Sequence, residues 1–518
     1  MPTWLKDAVF YEIYPQTYCD SNKDGIGDLP GIISRLDYVR SIGCNAIWLN
    51  PIFDSPFMDA GYDVRDYCKV AERYGTYEDA VRLFEEAHKR GIKILLDLVP
   101  GHTSDQNEWF LQSRLHEKNE YSGRYIWTDS VWEAPPQYRL LCGVSPRDGN
   151  YLVNFFSSQP ALNYGFNEIT HPAWQKRPED PDCQATVEAL KNIMRFWLDA
   201  GCDGFRVDMA DSLVKNEDGE KPETCKIWRG IRAMLDRDYP EAALVSEWCN
   251  PKVAIGAGFH CDFYLDHDTN GYRILFRHKD RTTGECRAVF GKNGKGDITR
   301  FLDEYLDDLK GTEGKGYISF ITCNHDTPRM TKMFTPEEAR LAYSFIFLMP
   351  GVPFLYYGDE IGMRFIDGLP SKEGGFSRTG TRTPMQWDNS PNHGFSSADA
   401  KDLYLPVDTS SDAPTVDQAR QDPNSILNTL RRVIALRHEH PDLQADGPFE
   451  VIYAVKEQYP FVFKRGSFLI AVNPTDQTQK APFAFTGETV FELGSHRQEG
   501  SYLFMEPQSM LLMKIKES

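Results

Sequence analysis

The chain has 518 residues and a formal net charge of −19, with 41% apolar and 13% aromatic residues. This charge argues against nucleic acid or an anionic membrane as a partner, because both need basic patches. The length exceeds that of one average domain and suits a large barrel with an appended domain.

The N-terminal segment, MPTWLKDAVF, lacks a basic stretch followed by an apolar one and does not predict a signal peptide. The sequence also contains no apolar run of about 18 residues, the length of a membrane span. Eleven cysteines are scattered without CxxC pairs, and this odd number does not suit a disulfide framework. The sequence therefore predicts a cytoplasmic protein with reduced thiols.

Apolar segments of strand length alternate with amphipathic segments of helix length over most of the chain. The predicted strands are AVFYEIY, NAIWLN, KILLDLV, DGFRVD, AALVSEW, CDFYLD, YISFITCN and VPFLYYG. The predicted helices include GIISRLDYVRSIG, YEDAVRLFEEAHKRG, TVEALKNIMRFWLDAG and SILNTLRRVIALRHEH. This alternation indicates an α/β fold with a parallel sheet and right-handed crossovers. Eight such strands that close on themselves make a (β/α)8 TIM barrel.

Three segments depart from the alternation. Residues 100–165 lack helical periodicity and predict an inserted domain, domain B, after the third strand. Residues 359–420 form a polar loop rich in Gly and Pro after the eighth strand. Residues 441–518 contain short apolar segments separated by turn signals and predict a C-terminal antiparallel β-sandwich domain. The barrel itself is assigned to 1–99 and 166–440.

Polar side chains fall repeatedly at the C-terminal ends of the predicted strands, where barrel enzymes carry their chemistry. They are His102, Arg206, Asp208, Glu247, His325 and Asp326. Paired carboxylates suit cleavage of a glycosidic bond: one donates a proton to the leaving oxygen, and the other attacks the anomeric carbon. We expect Arg206, on the same strand face as Asp208, to keep that aspartate ionised. Tyr62 offers a flat face for a sugar ring.

An acidic loop, CDSNKDGIGDL, follows the first predicted strand at residues 19–29. It begins like an EF-hand, in which alternate oxygens converge on calcium around a glycine. The twelfth position, however, is Gly31 instead of a bidentate Glu, and a strand precedes the loop instead of a helix. The residues alone leave a metal loop and a hydrated turn as open interpretations.

Four motifs resemble, in their order and spacing, the signature regions of the α-amylase family of glycoside hydrolases, family 13: DLVPGHTS, GFRVDMADS, SEW and CNHD. Further motifs resemble its exo-acting α-glucosidase, oligo-1,6-glucosidase and trehalose synthase branch: GYDV, QPALNYGF, GVPFLYYGDE and TRTPMQWD. The resemblance covers nearly the whole chain. SEW is weakly specific by itself, whereas the motifs together are highly specific.

The resemblance implies that Asp208 is the catalytic nucleophile, Glu247 the general acid/base and Asp326 the stabiliser of the transition state. It also implies a pocket for the non-reducing glucose formed by Tyr62, Asp63, His102, Arg206, His325 and Arg382. The implied mechanism is a retaining double displacement through a covalent glucosyl-aspartate, with the working carboxyls about 5–5.5 Å apart.

The resemblance further implies that the acidic loop holds a structural cation, calcium or alternatively magnesium. The implied ligands are the side chains of Asp20, Asn22, Asp24 and Asp28 and the carbonyl of Ile26. All-oxygen ligation suits either hard cation. We expect the cation to contribute stability, because the loop would lie beside the barrel mouth.

Three positions depart from the motifs of this branch: Gly101 stands where Asn usually precedes the histidine, Ala161 replaces the acid of QPDLN, and Met209 follows the nucleophile. Methionine at that position favours neither α-1,4 nor α-1,6 linkages. The expected activity is hydrolysis of short α-glucosides or oligosaccharides, with glucose released from the non-reducing end. A transglucosylase or trehalose synthase-type isomerase is the alternative, and a non-catalytic relative is the least expected. The oligomeric state stays open.

Overall fold

The computed structural model describes residues 1–265 and 271–515. In these residues eight parallel strands form a closed barrel in which neighbours in the chain are neighbours in the sheet. The strands are β1 Phe10–Ile13, β2 Ala46–Leu49, β3 Lys93–Leu98, β4 Gly204–Val207, β5 Ala243–Ser246, β6 Cys261–Tyr264, β7 Tyr317–Ile321 and β8 Val352–Tyr356. The predicted TIM barrel is confirmed. Asp266, the last residue of the predicted segment CDFYLD, lies outside the described residues.

The helices are α1 Leu29–Ser34, α2 Leu36–Ile42, α3 Tyr77–Lys89, α4 Glu108–Ser113, α5 Pro181–Asp199, α6 Pro222–Asp238, α7 Pro251–Gly256, α8 Gly271–Phe276, α9 Ile298–Thr312, α10 Pro336–Leu348, α11 Val416–Gln421 and α12 Ile426–Glu439. The predicted first helix is divided in two at Arg35, whose φ of −110° and ψ of 5° leave the helical region. Thr76 and Thr335 begin α3 and α10 with reciprocal capping boxes. None of the helices in the described residues is both long and apolar enough to cross a membrane.

The barrel interior changes from apolar to charged along its axis. At its lower end Phe10 stacks on Phe354, with 4.2 Å between ring centroids. Because side chains two positions apart share a strand face, Glu12 follows Phe10 on the interior side. Asp97 and Arg206, which are paired in the β3–β4 register, are buried at the same upper level. The interior therefore presents charged groups directly beneath the C-terminal ends of the strands.

The segment 100–165 contains α4 and a two-stranded antiparallel sheet of Leu140–Leu141 and Tyr151–Leu152. Phe110 and Trp127 stack in its core, with 5.7 Å between ring centroids. A bridge between His102, four residues after β3, and Ala161 joins the two ends of the segment. This arrangement brings the inserted segment to the mouth of the barrel.

The C-terminal strands are β9 Glu450–Val455, β10 Gln458–Arg465, β11 Phe468–Asn473, β12 Gln479–Ala481, β13 Gly487–Leu493, β14 His496–Glu499, β15 Tyr502–Met505 and β16 Ser509–Ile515. They form antiparallel sheets in the orders β9-β10-β11-β16-β13 and β12-β15-β14. The predicted antiparallel character of this region is confirmed. The limits of the three domains stay predictions, and residues 516–518 lie outside the described residues.

Candidate active site

Three acids from separate strand ends line one cavity of about 260 Å³. Asp208 directly follows β4, Glu247 directly follows β5, and Asp326 lies in the loop after β7. The residues that line the cavity are Asp59, Tyr62, His102, Phe155, Phe156, Asp208, Met209, Glu247, Asp326, Phe376, Arg378 and Arg382. The structure therefore brings together the three acids that the sequence singled out.

The buried guanidinium of Arg206 joins the acids beneath the cavity. It lies 3.1 Å from Asp208 Oδ1 and 2.7 Å from Glu247 Oε2, and it contacts Asp97 Oδ1 at 2.9 Å. The guanidinium also lies 4.7 Å from the ring centroid of Trp48. A buried cation with several anionic partners fixes the position of each partner, because breaking one contact leaves an uncompensated charge.

Asp208 and Glu247 contact each other as well as Arg206. Burial and the adjacent Glu247 carboxylate raise the pKa of Asp208 well above its ordinary value, and Arg206 opposes this shift. Arg206 thus favours the ionised form of Asp208, as expected, but burial and Glu247 outweigh its effect in the ligand-free site.

The backbone after Asp208 supports the second acid. Met209 has a left-handed φ of 41°, which is uncommon for a residue with a large side chain. In this conformation its N–H donates to Glu247 Oε2 at 3.1 Å. The turn that follows Asp208 thus helps to hold the Glu247 carboxylate in place.

Asp326 has the opposite electrostatic environment. Arg382 Nη2 contacts its Oδ1 at 2.6 Å, and Arg378 Nη1 contacts the same oxygen at 2.9 Å. Burial would raise the pKa of Asp326, but His325 and the two guanidinium groups lower it below its ordinary value. Its side chain is 37% exposed toward the cavity. Asp326 is therefore an anion over the whole range of working pH.

Tyr62 and His325 stack at the base of the site, with 5.3 Å between centroids and an interplanar angle of 12°. The Tyr62 hydroxyl lies 2.8 Å from His325 Nε2 and donates to Asp97 Oδ2 at 2.9 Å. His325 Nδ1 lies 2.8 Å from Glu12 Oε1. Burial lowers the pKa of His325 to about 3, so the ring is neutral. Glu12 was missed by sequence analysis because it lies inside an apolar strand.

The predicted pocket residues fall into two layers. Tyr62, His102 and Arg382 line the cavity, whereas Arg206 and His325 are buried beneath it and hold the residues that line it. Arg382 also donates from Nε to the carbonyl of His325 at 2.8 Å. The two layers belong to one connected network.

Asp63 lies outside the residues that line the cavity. It is 0% exposed, and its carboxylate accepts hydrogen bonds from Ser55 Oγ and from the backbone N–H groups of Met58 and Asp59. The carboxylate that reaches the cavity from this turn belongs to Asp59, which accepts a hydrogen bond from Gln159 at 2.8 Å. The structure therefore does not bring the predicted residue Asp63 to the cavity and places Asp59 there instead.

The acidic loop after β1 folds around its own side chains. Asp20 Oδ1 accepts from the backbone of Asn22 and Lys23, and Asp24 Oδ1 accepts from the backbone of Ile26. In the described part of the chain, no three acidic, histidine or cysteine side chains are grouped as a metal site. The fit of the loop to a cation thus depends on a mixed set of carboxylate, amide and carbonyl oxygens, the type of donor that calcium and magnesium prefer.

Asp20 and Asp28 are the ligand candidates that fit least well. Four donors already bond the Asp20 carboxylate: the backbone N–H groups of Asn22, Lys23 and Gly25 and the Ser396 hydroxyl. The Asp28 carboxylate accepts from the backbone and hydroxyl of Ser21 and from Gly31 N–H, at the N-cap of α1. A carboxylate has about four acceptor positions, so Asp28 keeps one position, and a cation at Asp20 would have to displace a donor. The donor chemistry of Asn22, Asp24 and the Ile26 carbonyl suits a hard cation.

The closed barrel, the paired carboxyls of Asp208 and Glu247 and the ionised carboxyl of Asp326 define the class of protein: an enzyme that cleaves glycosidic bonds. The family model described as alpha amylase, catalytic domain, matches residues 12–446. The chain belongs to the alpha-amylase family and is a glycoside hydrolase of that family.

The chain is similar along most of its length to several characterised relatives. It is 33% identical to an oligo-1,6-glucosidase of Parageobacillus thermoglucosidasius, over 89% of this chain and 87% of the relative. It is 34% identical to a trehalose synthase/amylase of Mycolicibacterium smegmatis, over 86% of this chain and 78% of the relative. The crystal structure of a trehalulose synthase from Pseudomonas mesoacidophila MX-45 superposes with a TM-score of 0.82 at 25% identity, with 100% of both chains covered.

Proposed function

We propose that this enzyme hydrolyses short α-glucosides and releases glucose from the non-reducing end. The observation that carries the proposal is the narrow cavity in which the Asp208–Glu247 pair and the ionised Asp326 meet. Its volume of about 260 Å³ lies just below the usual range for ligand pockets, roughly 300–1,000 Å³. Such a cavity suits one terminal sugar ring better than the interior of a long glucan.

In the proposed reaction, Asp208 attacks the anomeric carbon while Glu247 gives its proton to the leaving glycosidic oxygen. A bond between Asp208 and the anomeric carbon replaces the glycosidic bond. Glu247 then takes a proton from water, and the water oxygen displaces Asp208 and releases glucose. The ionised Asp326 stabilises the positive charge that develops on the ring in each transition state.

Transfer of glucose to a second sugar is the alternative reaction. Phe155 is 45% exposed and Phe376 is 59% exposed, and both are at the cavity, where flat rings can hold an acceptor sugar. The similarity to a trehalose synthase/amylase and to the trehalulose synthase structure is in line with such a reaction. The same covalent intermediate serves both outcomes.

A substrate panel tests the proposal. The purified enzyme is incubated with maltose, isomaltose, sucrose and trehalose, and the products are followed by proton NMR from the first minutes. We expect free glucose that starts as the α-anomer, since two displacements retain the configuration. A disaccharide isomer as the main product would favour glucose transfer over hydrolysis. The absence of glucose and of any new glucoside from every substrate would contradict both.

Separate asparagine substitutions of Asp59 and Asp63 give a matched pair of variants. We expect Asp59→Asn to lower kcat/KM about 10- to 100-fold, because a carboxylate bond to a sugar hydroxyl contributes about 1.5–3 kcal/mol. Asp63→Asn removes acceptors for buried donors, so we expect a lower Tm and a much smaller loss of kcat/KM. Steady-state kinetics and calorimetry measure both; equal kinetic effects would contradict the assignment.

A pH series adds a second test of Asp59. Burial raises the pKa of Asp59 to about 6, so the carboxylate becomes protonated as the pH falls below 6. A protonated group loses its charge-assisted hydrogen bond, and we therefore expect KM to rise below pH 6 in the wild type. Asp59→Asn cannot titrate at this position and is expected to lack that rise.

We propose that the acidic loop binds calcium as a structural cation, with magnesium as the alternative. Binding to the folded state alone raises its stability by about 2.7 kcal/mol at a free concentration 100 times Kd. We therefore expect a higher Tm in calcium than in EGTA, and expect Asp20→Ala to remove the difference. Asp66→Ala, which changes an exposed aspartate at the start of the short strand Asp66–Val70, is the control. Equal Tm values for the wild type in calcium, magnesium and EGTA would contradict the proposal.

A further inference from the structure

His102 lies between two groups from different parts of the chain. Its Nε2 lies 3.0 Å from the carbonyl oxygen of Tyr62, and its Nδ1 lies 3.2 Å from the amide Nδ2 of Asn154. Burial lowers the pKa of His102 to about 4, so the ring is neutral near pH 7. A carbonyl oxygen only accepts and an amide NH₂ only donates. The ring proton therefore belongs on Nε2, and Nδ1 accepts.

Gly101 makes room for this contact. A Cβ atom at position 101 would lie 2.8 Å from Asn154 Nδ2 and 3.5 Å from Ser212 Oγ. The φ of Gly101 is outside the left-handed region, so the backbone itself would tolerate another residue. The need for glycine at this position therefore comes from the Asn154 amide and not from the backbone conformation.

The loop that carries Asn154 belongs to the inserted segment and is fixed on both sides. Asn154 N–H donates to the carbonyl of Gln159 at 3.1 Å, and Gln159 in turn donates to the cavity residue Asp59. Asn154 Oδ1 lies 3.5 Å from the ammonium group of Lys215. The amide thus has a donor side toward His102 and an acceptor side toward a cation, and this defines its orientation.

We propose that Asn154 is a positioning residue that fixes the Nε2–H tautomer and the ring orientation of His102 at the cavity wall. It supplies from the inserted segment the polar side chain that Gly101 lacks beside the histidine. The inserted segment thereby contributes to the order of the active site as well as to its shape. The inference rests on the proposed function for its kinetic readout only.

The test uses protein labelled with 15N-histidine, because the ring nitrogen shifts report which nitrogen carries the proton. The His102 signals are assigned by their loss in His102→Gln. We expect a protonated Nε2 and an acceptor Nδ1 in the wild type, and a mixed pattern in Asn154→Leu, where the Tyr62 carbonyl alone favours a proton on Nε2. Asn119→Leu is the matched control, since it removes an amide of the same segment that bonds Gln112 instead.

Kinetics give the second readout. A net hydrogen bond contributes about 0.5–1.5 kcal/mol, so we expect Asn154→Leu and Asn154→Ala to lower kcat/KM about 3- to 10-fold. Gly101→Ala is expected to displace the amide and to cause a similar loss. Since both substitutions act on one contact, we expect the double variant Gly101→Ala/Asn154→Ala to lose less than the product of the two single losses.

Two results would overturn the proposal: an unchanged His102 signal in both Asn154→Leu and Asn154→Ala, or independent losses for Gly101→Ala and Asn154→Ala. The double variant Gly101→Asn/Asn154→Gly moves the amide from position 154 to position 101. We expect it to restore the Nε2–H signal of His102. A wild type that turns over no glucoside would contradict the proposed function and would leave the tautomer comparison valid. The two failures are therefore distinguishable.

Discussion

Asp208→Asn is expected to lower kcat for glucoside hydrolysis roughly 10⁴-fold, the scale found when one member of a catalytic unit is removed. Asparagine has nearly the same shape and keeps an oxygen for Arg206, so the cavity is expected to persist. It cannot form the ester bond to the anomeric carbon, and the first displacement is therefore lost. The measurement is kcat on the best substrate of the panel, with mass spectrometry of trapped enzyme as a second readout.

Asp211→Asn is the matched control for this experiment. Asp211 lies three residues after Asp208 and contacts Lys221 at 3.9 Å, outside the residues that line the cavity. We expect nearly wild-type kcat from it. If Asp208→Asn keeps its fold by Tm and circular dichroism and also keeps turnover, the assignment of the nucleophile is wrong.

Glu247→Gln is expected to separate substrates by their leaving groups. General acid catalysis contributes about 10²- to 10⁴-fold, so we expect a loss of that size for maltose or isomaltose. The loss in the first step should be much smaller for an activated aryl α-glucoside, whose leaving oxygen needs no proton. Glutamine can still accept from Met209 N–H and from Arg206, so the geometry of the site is kept.

Azide provides the complementary measurement on Glu247→Gln. The second displacement also needs Glu247, as a base toward water, so the glucosyl-enzyme is expected to accumulate. Azide attacks without a base, and we expect it to restore turnover and yield α-glucosyl azide. Glu217→Gln, five residues before α6 begins, is the control, because Glu217 accepts hydrogen bonds from the backbone of Glu223 and from the Thr224 hydroxyl. A uniform loss for all leaving groups would contradict the acid/base role.

The barrel and the meeting of the three acids were predictable because each depends on a local pattern. A run such as KILLDLV is buried on both faces and predicts a parallel strand. The geometry of the barrel then places whatever follows the strands at one rim, which is why Asp208, Glu247 and Asp326 share a cavity. The break at Arg35 was not predicted, since the apolar periodicity continues through it.

The charges around the acids were less predictable, because they depend on contacts between distant segments. The selection of Asp59 over Asp63 is made by a turn in which Phe57 and Ala60 adopt positive φ and the Asp63 carboxylate binds the turn backbone. Such backbone conformations leave little trace in the sequence when the residues that adopt them are not glycines. Glu12 was likewise hidden within an apolar strand.

Arg378 was missed for a different reason. It lies on the 3₁₀ turn Phe376–Thr381 of an irregular loop, where no periodicity gives the direction of a side chain. Its distance of 2.9 Å from Asp326 follows from tertiary folding alone. A basic residue four positions before Arg382 was the available signal.

The loop after β8 supplies both guanidinium groups that contact Asp326, and it also supplies Phe376 at the rim. Replacing this loop with the loop of another enzyme, in order to change which sugar accepts the glucose, would therefore also change the ionisation of Asp326. Changes to acceptor choice that spare Asp326 should instead begin with the wall formed by the inserted segment, where Phe155 and Phe156 carry no charge and Phe156 contacts Phe376 with 5.7 Å between ring centroids. Libraries directed at that wall should retain turnover far more often than libraries directed at residues 376–382.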